Sequence, residues 1–169
     1  MGTNEFSVVE RFCKRLDDAG GYPQVWQIVR ETVEYSLSKH SRSMMLFLDD
    51  LPVQLGAYHP IGTNNIVLNR RLVDIVEISV NSKRLVNAFI YILLLHEYLH
   101  ALGDCSEASV RSLVVKVSEK CFGEQHAVSG IARKSPWSLL GKIPIQANDA
   151  PRRVMKIVKD FEATEKYIV

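Results

Sequence analysis

The chain has 169 residues, of which 47% are hydrophobic and 24% are charged, and its formal net charge is +2. This size and composition predict a single domain, residues 1–169, that is large enough to bury a core. A net charge so close to neutral gives no indication of binding to nucleic acid or to a membrane surface.

The cysteines and the apolar runs of the sequence indicate in which cellular compartment we expect the protein. Three widely spaced cysteines favour a reducing environment over a disulfide framework. The longest apolar run, residues 88–95, is far shorter than the roughly 18 residues that span a bilayer. The first residues show no signal peptide, because acidic and basic residues interrupt any apolar run there. We therefore expect a cytoplasmic protein.

The first third of the chain predicts two helices followed by a strand. Residues 6–19 have apolar side chains at helical spacing, and Gly20 and Gly21 end that pattern. Residues 23–39 predict a second helix with Pro23 in its first turn. Residues 44–48 are continuously apolar and are closed by Asp-Asp-Leu-Pro, which is typical of a buried strand.

The middle of the chain predicts a strand pair and two more helices. Residues 53–58 and 65–69 are strand candidates joined by a turn-rich loop, so we expect a hairpin. Residues 70–79 predict a helix, and Ser82 is a suitable N-cap for the helix that follows. We expect His59, in the hairpin loop, to be solvated. The order of helices, strands and helices predicts an α+β layout.

The helix after Ser82 carries a catalytic pattern. Its last part reads Leu-His-Glu-Tyr-Leu-His-Ala-Leu-Gly, with His96 and His100 four residues apart. Four residues are about one helical turn, so both imidazoles lie on one face and can bind a single Zn²⁺. Glu97 lies at the edge of that face and stays free to take a proton from water. Gly103 suits the end of the helix.

The segment His96-Glu97-Tyr98-Leu99-His100 resembles the zinc-binding helix of the zincin metallopeptidases, and the chain length resembles the small single-domain minigluzincins. More weakly, residues 55–60 and 65–69 resemble the zincin strand pair whose edge strand receives an extended substrate. The resemblance implies a zincin-like α+β fold with N-terminal helices, a small sheet of about three strands, a buried active-site helix and C-terminal helices. It implies a peptidase acting on peptides or unfolded protein.

A catalytic Zn²⁺ usually has three protein ligands, so a third is needed. Metzincins place it six residues after the second histidine, but Ser106 stands there and is a poor donor. Gluzincins use a glutamate of the next helix, and Glu107 and Glu119 both qualify by type. They are about 18 Å apart along one helix, so both cannot reach one ion. We favour Glu107, which follows a tight connection; Asp104 and His126 are alternatives.

The C-terminal third predicts one helix, an irregular region and a terminal helix. Ser106 marks the start of a helix to about residue 121. His126, in the irregular region, is either a surface residue or a residue that reaches the cleft and binds the developing oxyanion. Residues 134–140 are a candidate lid, and residues 151–161 predict a helix. The resemblance implies that residues 141–169 are a candidate regulatory tail, whose residues 143–150 or terminal helix would hold the enzyme latent by blocking the cleft.

The function expected from these residues is zinc-dependent peptide hydrolysis. Zn²⁺ would be held by His96, His100 and Glu107, with Glu97 as the general base and His126 as an auxiliary catalytic residue. The alternative is a non-enzymatic zincin-like protein that binds a partner, with the metal vestigial or structural.

Overall fold

The computed structural model describes residues 3–141 and 152–162, with side chains from residue 5 onward in the first range. These residues form six α-helices, a short 3₁₀ helix and a four-stranded sheet, which confirms a mixed α+β architecture. In chain order the elements are α1 (Thr3–Asp17), α2 (Tyr22–Leu37), β1 (Met45–Asp49), β2 (Ala57–Tyr58), β3 (Asn65–Asn69), α3 (Arg70–Val80), α4 (Lys83–Ala101), α5 (Glu107–Phe122), α6 (Ala127–Lys134), the 3₁₀ helix (Pro136–Leu139) and β4 (Lys156–Ile157).

The predicted helix starts are confirmed at α4 and α5. The Ser82 hydroxyl accepts a hydrogen bond from the Leu85 amide, and the Ser106 hydroxyl accepts one from the Ser109 amide. Each serine satisfies an amide that has no partner within its own helix. At the other end of α4, Gly103 has a φ of 102°, in the left-handed region that glycine tolerates best. The turn at Gly103 and the N-cap at Ser106 lie close together in the sequence, so the connection from α4 to α5 is short.

The sheet has the strand order β2-β3-β1-β4. The predicted hairpin is confirmed, because β2 and β3 pair antiparallel with Ala57 opposite Leu68. β1 runs parallel to β3, and β4 pairs antiparallel with the other side of β1. Within the described residues β2 and β4 are therefore the two edge strands.

The strand predicted over residues 53–58 is shorter in the structure, where β2 contains only its last two residues. The Asn69 side-chain amide donates to the carbonyl oxygens of Leu51, Pro52 and Leu55 at 2.8–3.2 Å. These carbonyl groups are satisfied by a side chain, and the segment before β2 folds as a turn around the Asn69 side chain.

The helix α4 forms the centre of the molecule. It contacts all the other α-helices of the described residues and also β2 and β3. Most of its side chains from Val86 to Leu99 are buried, on every face of the helix. Its two motif histidines are only partly buried. The helix is therefore buried along most of its length and becomes more exposed at the two histidines near its end.

Two predictions for the C-terminal third are wrong. Residues 127–134 form α6, where an irregular region was expected, because Val128 and Ile131 pack into the core. Residues 152–162 contain β4 followed by a turn at residues 159–160 and no helix, although residues 151–161 were predicted to be helical. Arg152 and Arg153 pair with the carboxylates of Asp49 and Asp50, which brings this segment alongside β1.

The end of this segment is also anchored. The Phe161 ring stacks on Trp26 with 4.8 Å between ring centroids. The Glu162 carboxylate accepts hydrogen bonds from the Trp26 indole and the Met44 amide. These contacts come from residues distant in sequence, and they override the helical spacing of the apolar residues in the tail.

None of the helices in the described part of the chain has the length and apolarity needed to cross a membrane.

Candidate metal centre

The last two turns of α4 place the two motif histidines together. The Nε2 atoms of His96 and His100 are 3.3 Å apart, and their ring centroids are 5.0 Å apart. Both rings therefore direct a nitrogen towards the same point. This arrangement follows from the spacing of four residues, which is about one helical turn.

The first residue of α5 completes the cluster. One carboxylate oxygen of Glu107 lies 2.9 Å from His100 Nε2, and the other lies 3.3 Å from His96 Nε2. One donor atom from each of the three residues lies within 4.8 Å of the others, so this group could hold a metal ion. Glu107 reaches the histidines because the connection between α4 and α5 is short.

Asp104 supports the cluster through its backbone. Its carbonyl oxygen lies 2.7 Å from His100 Nδ1, and a carbonyl can only accept a hydrogen bond. Nδ1 of His100 therefore donates its hydrogen to this oxygen, which orients the ring so that Nε2 faces His96 and Glu107. The Asp104 side chain points elsewhere, since it accepts a hydrogen bond from the Ser109 hydroxyl. It lies outside the donor cluster.

The structure does not bring Glu119 or His126 to this cluster. The Glu119 carboxylate accepts a hydrogen bond from Arg133. His126 is 7% exposed, and its Nε2 lies 3.0 Å from an Asp17 oxygen while its Nδ1 accepts from the Val128 amide. Both of its ring nitrogens are occupied at the start of α6. The structure therefore contradicts both alternatives for His126, which is neither a surface residue nor part of the cleft.

Glu97 lies beside the cluster in a buried position, with 8% of its surface exposed. Burial raises the pKa of its carboxyl to about 7, and the negative charge of Glu107 adds to this effect. The electrostatic effect of His100 and a hydrogen bond from the backbone of His59 act in the opposite direction and lower the pKa of Glu97. A carboxyl with a pKa near neutrality is suited to accept and release a proton at pH 7.

The position of His59 differs from the solvated loop that was expected. Its ring is half-buried, and Nδ1 lies 2.9 Å from the carbonyl oxygen of Asn65 across the hairpin. Its backbone reaches Glu97, a contact that no local sequence signal indicates. The hairpin therefore forms part of the environment of the buried carboxyl.

The pKa of His96 is lowered from its ordinary value, which favours the neutral form that binds metals. Burial is the main cause that lowers its pKa, and the positive charge of Arg111 acts in the same direction. Glu107 opposes these effects.

A pocket of about 600 Å³ opens next to these residues. His96, Glu97 and Glu107 line it, together with the turn that leads into β2 at residues 54–57. Residues 134–137 contribute to its lining, in the segment that the sequence suggested as a lid. Residues 152–162 do not line it, and residues 143–150, the other candidate blocking segment, lie outside the described residues.

Comparisons of this chain with protein-family models, with curated proteins and with solved structures found no match. Its function is therefore inferred from the arrangement of its own residues. Two imidazoles and a carboxylate converge on one point, a buried glutamate lies beside them, and a pocket connects the group to an edge strand.

Proposed function

We propose that this protein is a zinc-dependent peptidase with a zincin-like fold. The observation that carries the proposal is the convergence of His96 Nε2, His100 Nε2 and the Glu107 carboxylate within 4.8 Å. Two histidines and one glutamate are a donor set that catalytic zinc sites use, and such sites keep a fourth position for water or substrate. The pocket beside the cluster provides room for that position.

The side chains around the donors support hydrolysis. Bound Zn²⁺ would supply a water of lowered pKa and would polarise the carbonyl group of the scissile bond. Glu97 is adjacent to the first histidine but is not one of the converging donors, so its carboxylate is free to take a proton from water. It then returns that proton to the leaving amine. The raised pKa of Glu97 suits both halves of this transfer.

The sheet offers a place for an extended peptide. Within the described residues β2 pairs with β3 on one side only, and the turn before β2 lines the same pocket as Glu97. A strand edge binds peptides through backbone hydrogen bonds, which carry little sequence preference. Leu55 is 39% exposed next to this edge and offers an apolar contact.

The test is the variant Glu97→Gln, compared with wild type and with Glu119→Gln as a matched control on α5. We expect Glu97→Gln to bind zinc and to lose about 10²- to 10⁴-fold in the rate of peptide cleavage, because it removes the general base. Zinc content is measured on the purified proteins, and cleavage of a peptide library is measured with and without chelator.

Two results would contradict this proposal. Full cleavage activity in zinc-loaded Glu97→Gln would refute the role of Glu97. A zinc-loaded wild-type protein that binds peptides but never cleaves them would support the non-enzymatic alternative.

A further inference from the structure

We propose that Arg111 and Lys134 form a subsite that binds a carboxylate of the substrate, either an acidic side chain or a free C-terminus. This inference rests on the proposed function, because it takes the substrate to be a peptide. It assigns a preference for acidic peptides to a pocket that is otherwise lined largely by apolar side chains.

The two cations come to the pocket from different helices. Arg111 lies one helical turn after Glu107 on α5, so both side chains are on the same face of that helix. Lys134 is the last residue of α6, and it lines the same pocket. Arg111 lines this pocket as well, together with His96 and Glu107 of the donor cluster.

Neither cation has an acidic partner among the described residues. A third basic residue in the pocket lining, Arg133, is engaged by the Glu119 carboxylate and the Glu124 carbonyl oxygen. Arg111 and Lys134 form no comparable ion pair or hydrogen bond within residues 3–141 and 152–162. Both side chains are exposed and available to a ligand.

The charge of the pocket favours an anion once a metal is bound. The acidic residues in the lining are Glu97 and Glu107, and a divalent cation would neutralise both. Arg111 and Lys134 would then remain uncompensated. A guanidinium group can form two parallel hydrogen bonds with a carboxylate, so Arg111 is the stronger of the two anchors.

The experiment measures binding to zinc-loaded Glu97→Gln by calorimetry, so that hydrolysis does not interfere. Four peptides share one sequence but differ in two places: glutamate or glutamine at one position, and a free or amidated C-terminus. We expect the preferred anionic peptide to bind about 10-fold more tightly than the neutral one, since hydrogen bonds to charged groups have roughly this effect. The glutamate and terminal-carboxylate arms identify which source the subsite uses.

Variants in the same background assign the preference to residues. Arg111→Gln should abolish most of the difference between anionic and neutral peptides, and Lys134→Gln should reduce it. Arg111→Lys should keep part of the difference between anionic and neutral peptides that Arg111→Gln abolishes. Lys116→Gln is the matched control, because Lys116 is an exposed cation of α5 that does not line the pocket. Circular dichroism checks that each variant is folded.

The proposal is overturned if all four peptides bind equally, if none binds, or if the preference survives in the Arg111→Gln, Lys134→Gln double variant. Cleavage of the same peptides by wild type is scored separately. Cleavage without a carboxylate preference would overturn the subsite and leave the peptidase proposal intact. Carboxylate-dependent binding without cleavage would support the subsite and overturn the peptidase proposal.

Discussion

Replacing Glu107 by glutamine should weaken zinc binding without unfolding the protein. Glutamine keeps the size of the side chain and one oxygen donor, but it removes the negative charge at the donor cluster. The Glu107 side chain is 64% exposed, so the fold does not depend on it. Its two oxygens face His96 and His100 at 3.3 and 2.9 Å, so the loss should fall on the proposed metal site.

The size of the effect has a lower bound. Changing a residue that only supports a metal ligand typically costs 10- to 100-fold in metal affinity. As a proposed ligand, Glu107 would contact the ion itself, and its charge would balance part of the charge of the ion. We therefore expect Glu107→Gln to raise the zinc dissociation constant by at least about 100-fold, which corresponds to about 2.7 kcal/mol.

Zinc affinity is measured by competition with a chromophoric chelator at pH 7, and thermal unfolding confirms that the variant is folded. The control is Glu119→Gln on the same helix, about 18 Å further along. Its carboxylate is engaged by Arg133, and we expect its zinc affinity to stay within about twofold of wild type. A Glu107→Gln protein that binds zinc as tightly as wild type would refute the assignment of the third ligand.

Two further predictions concern stability. Arg153, through its side-chain hydrogen bonds, is the largest cause that lowers the pKa of Asp50 well below its ordinary value of 3.8. A carboxyl with a lowered folded-state pKa stabilises the protein above its unfolded pKa, and this stabilisation is lost as the pH falls towards the folded value. Asp50→Asn should therefore cost about 1–3 kcal/mol in urea unfolding at pH 7 and clearly less at about pH 3; equal costs at both pH values would contradict this. At Gly56, an added Cβ would lie 2.7 Å from Leu93 Cδ2. Gly56→Val should cost about 1–3 kcal/mol more than Gly20→Val, where no atom lies within 4 Å, and equal stability of the two variants would refute the close approach.

The elements that local sequence determines were predicted well. The strand Asn65–Asn69 has the predicted bounds, and the caps at Ser82 and Ser106 are where the sequence indicated. An N-cap depends on a side chain and an amide two or three residues later, so a short stretch of sequence contains the whole interaction. The close approach of His96 and His100 follows from their spacing of four residues in the same way.

The errors come from contacts between residues far apart in the chain. The tail has apolar residues at helical spacing, but contacts with Asp50 and Trp26 hold it in a non-helical conformation. His126 follows a helix-ending glycine, so the sequence predicts that it lies in an irregular region. The structure shows instead that it caps α6 and faces Asp17. No local signal marked Arg111 or the His59 backbone as neighbours of the site.

The meeting of two helix ends explains why the donor cluster lies where it does. The C-terminus of α4 carries a partial negative charge that favours a cation, and His100 is in its last turn. The N-terminus of α5 carries a partial positive charge that favours an ionised carboxylate, and Glu107 is in its first turn. Because α4 is buried on every side, it cannot shift to relieve the close approach of the two imidazoles and the carboxylate. The burial of α4 therefore fixes the direction of the two imidazoles, and the proposed metal site would need little rearrangement of this helix to bind an ion.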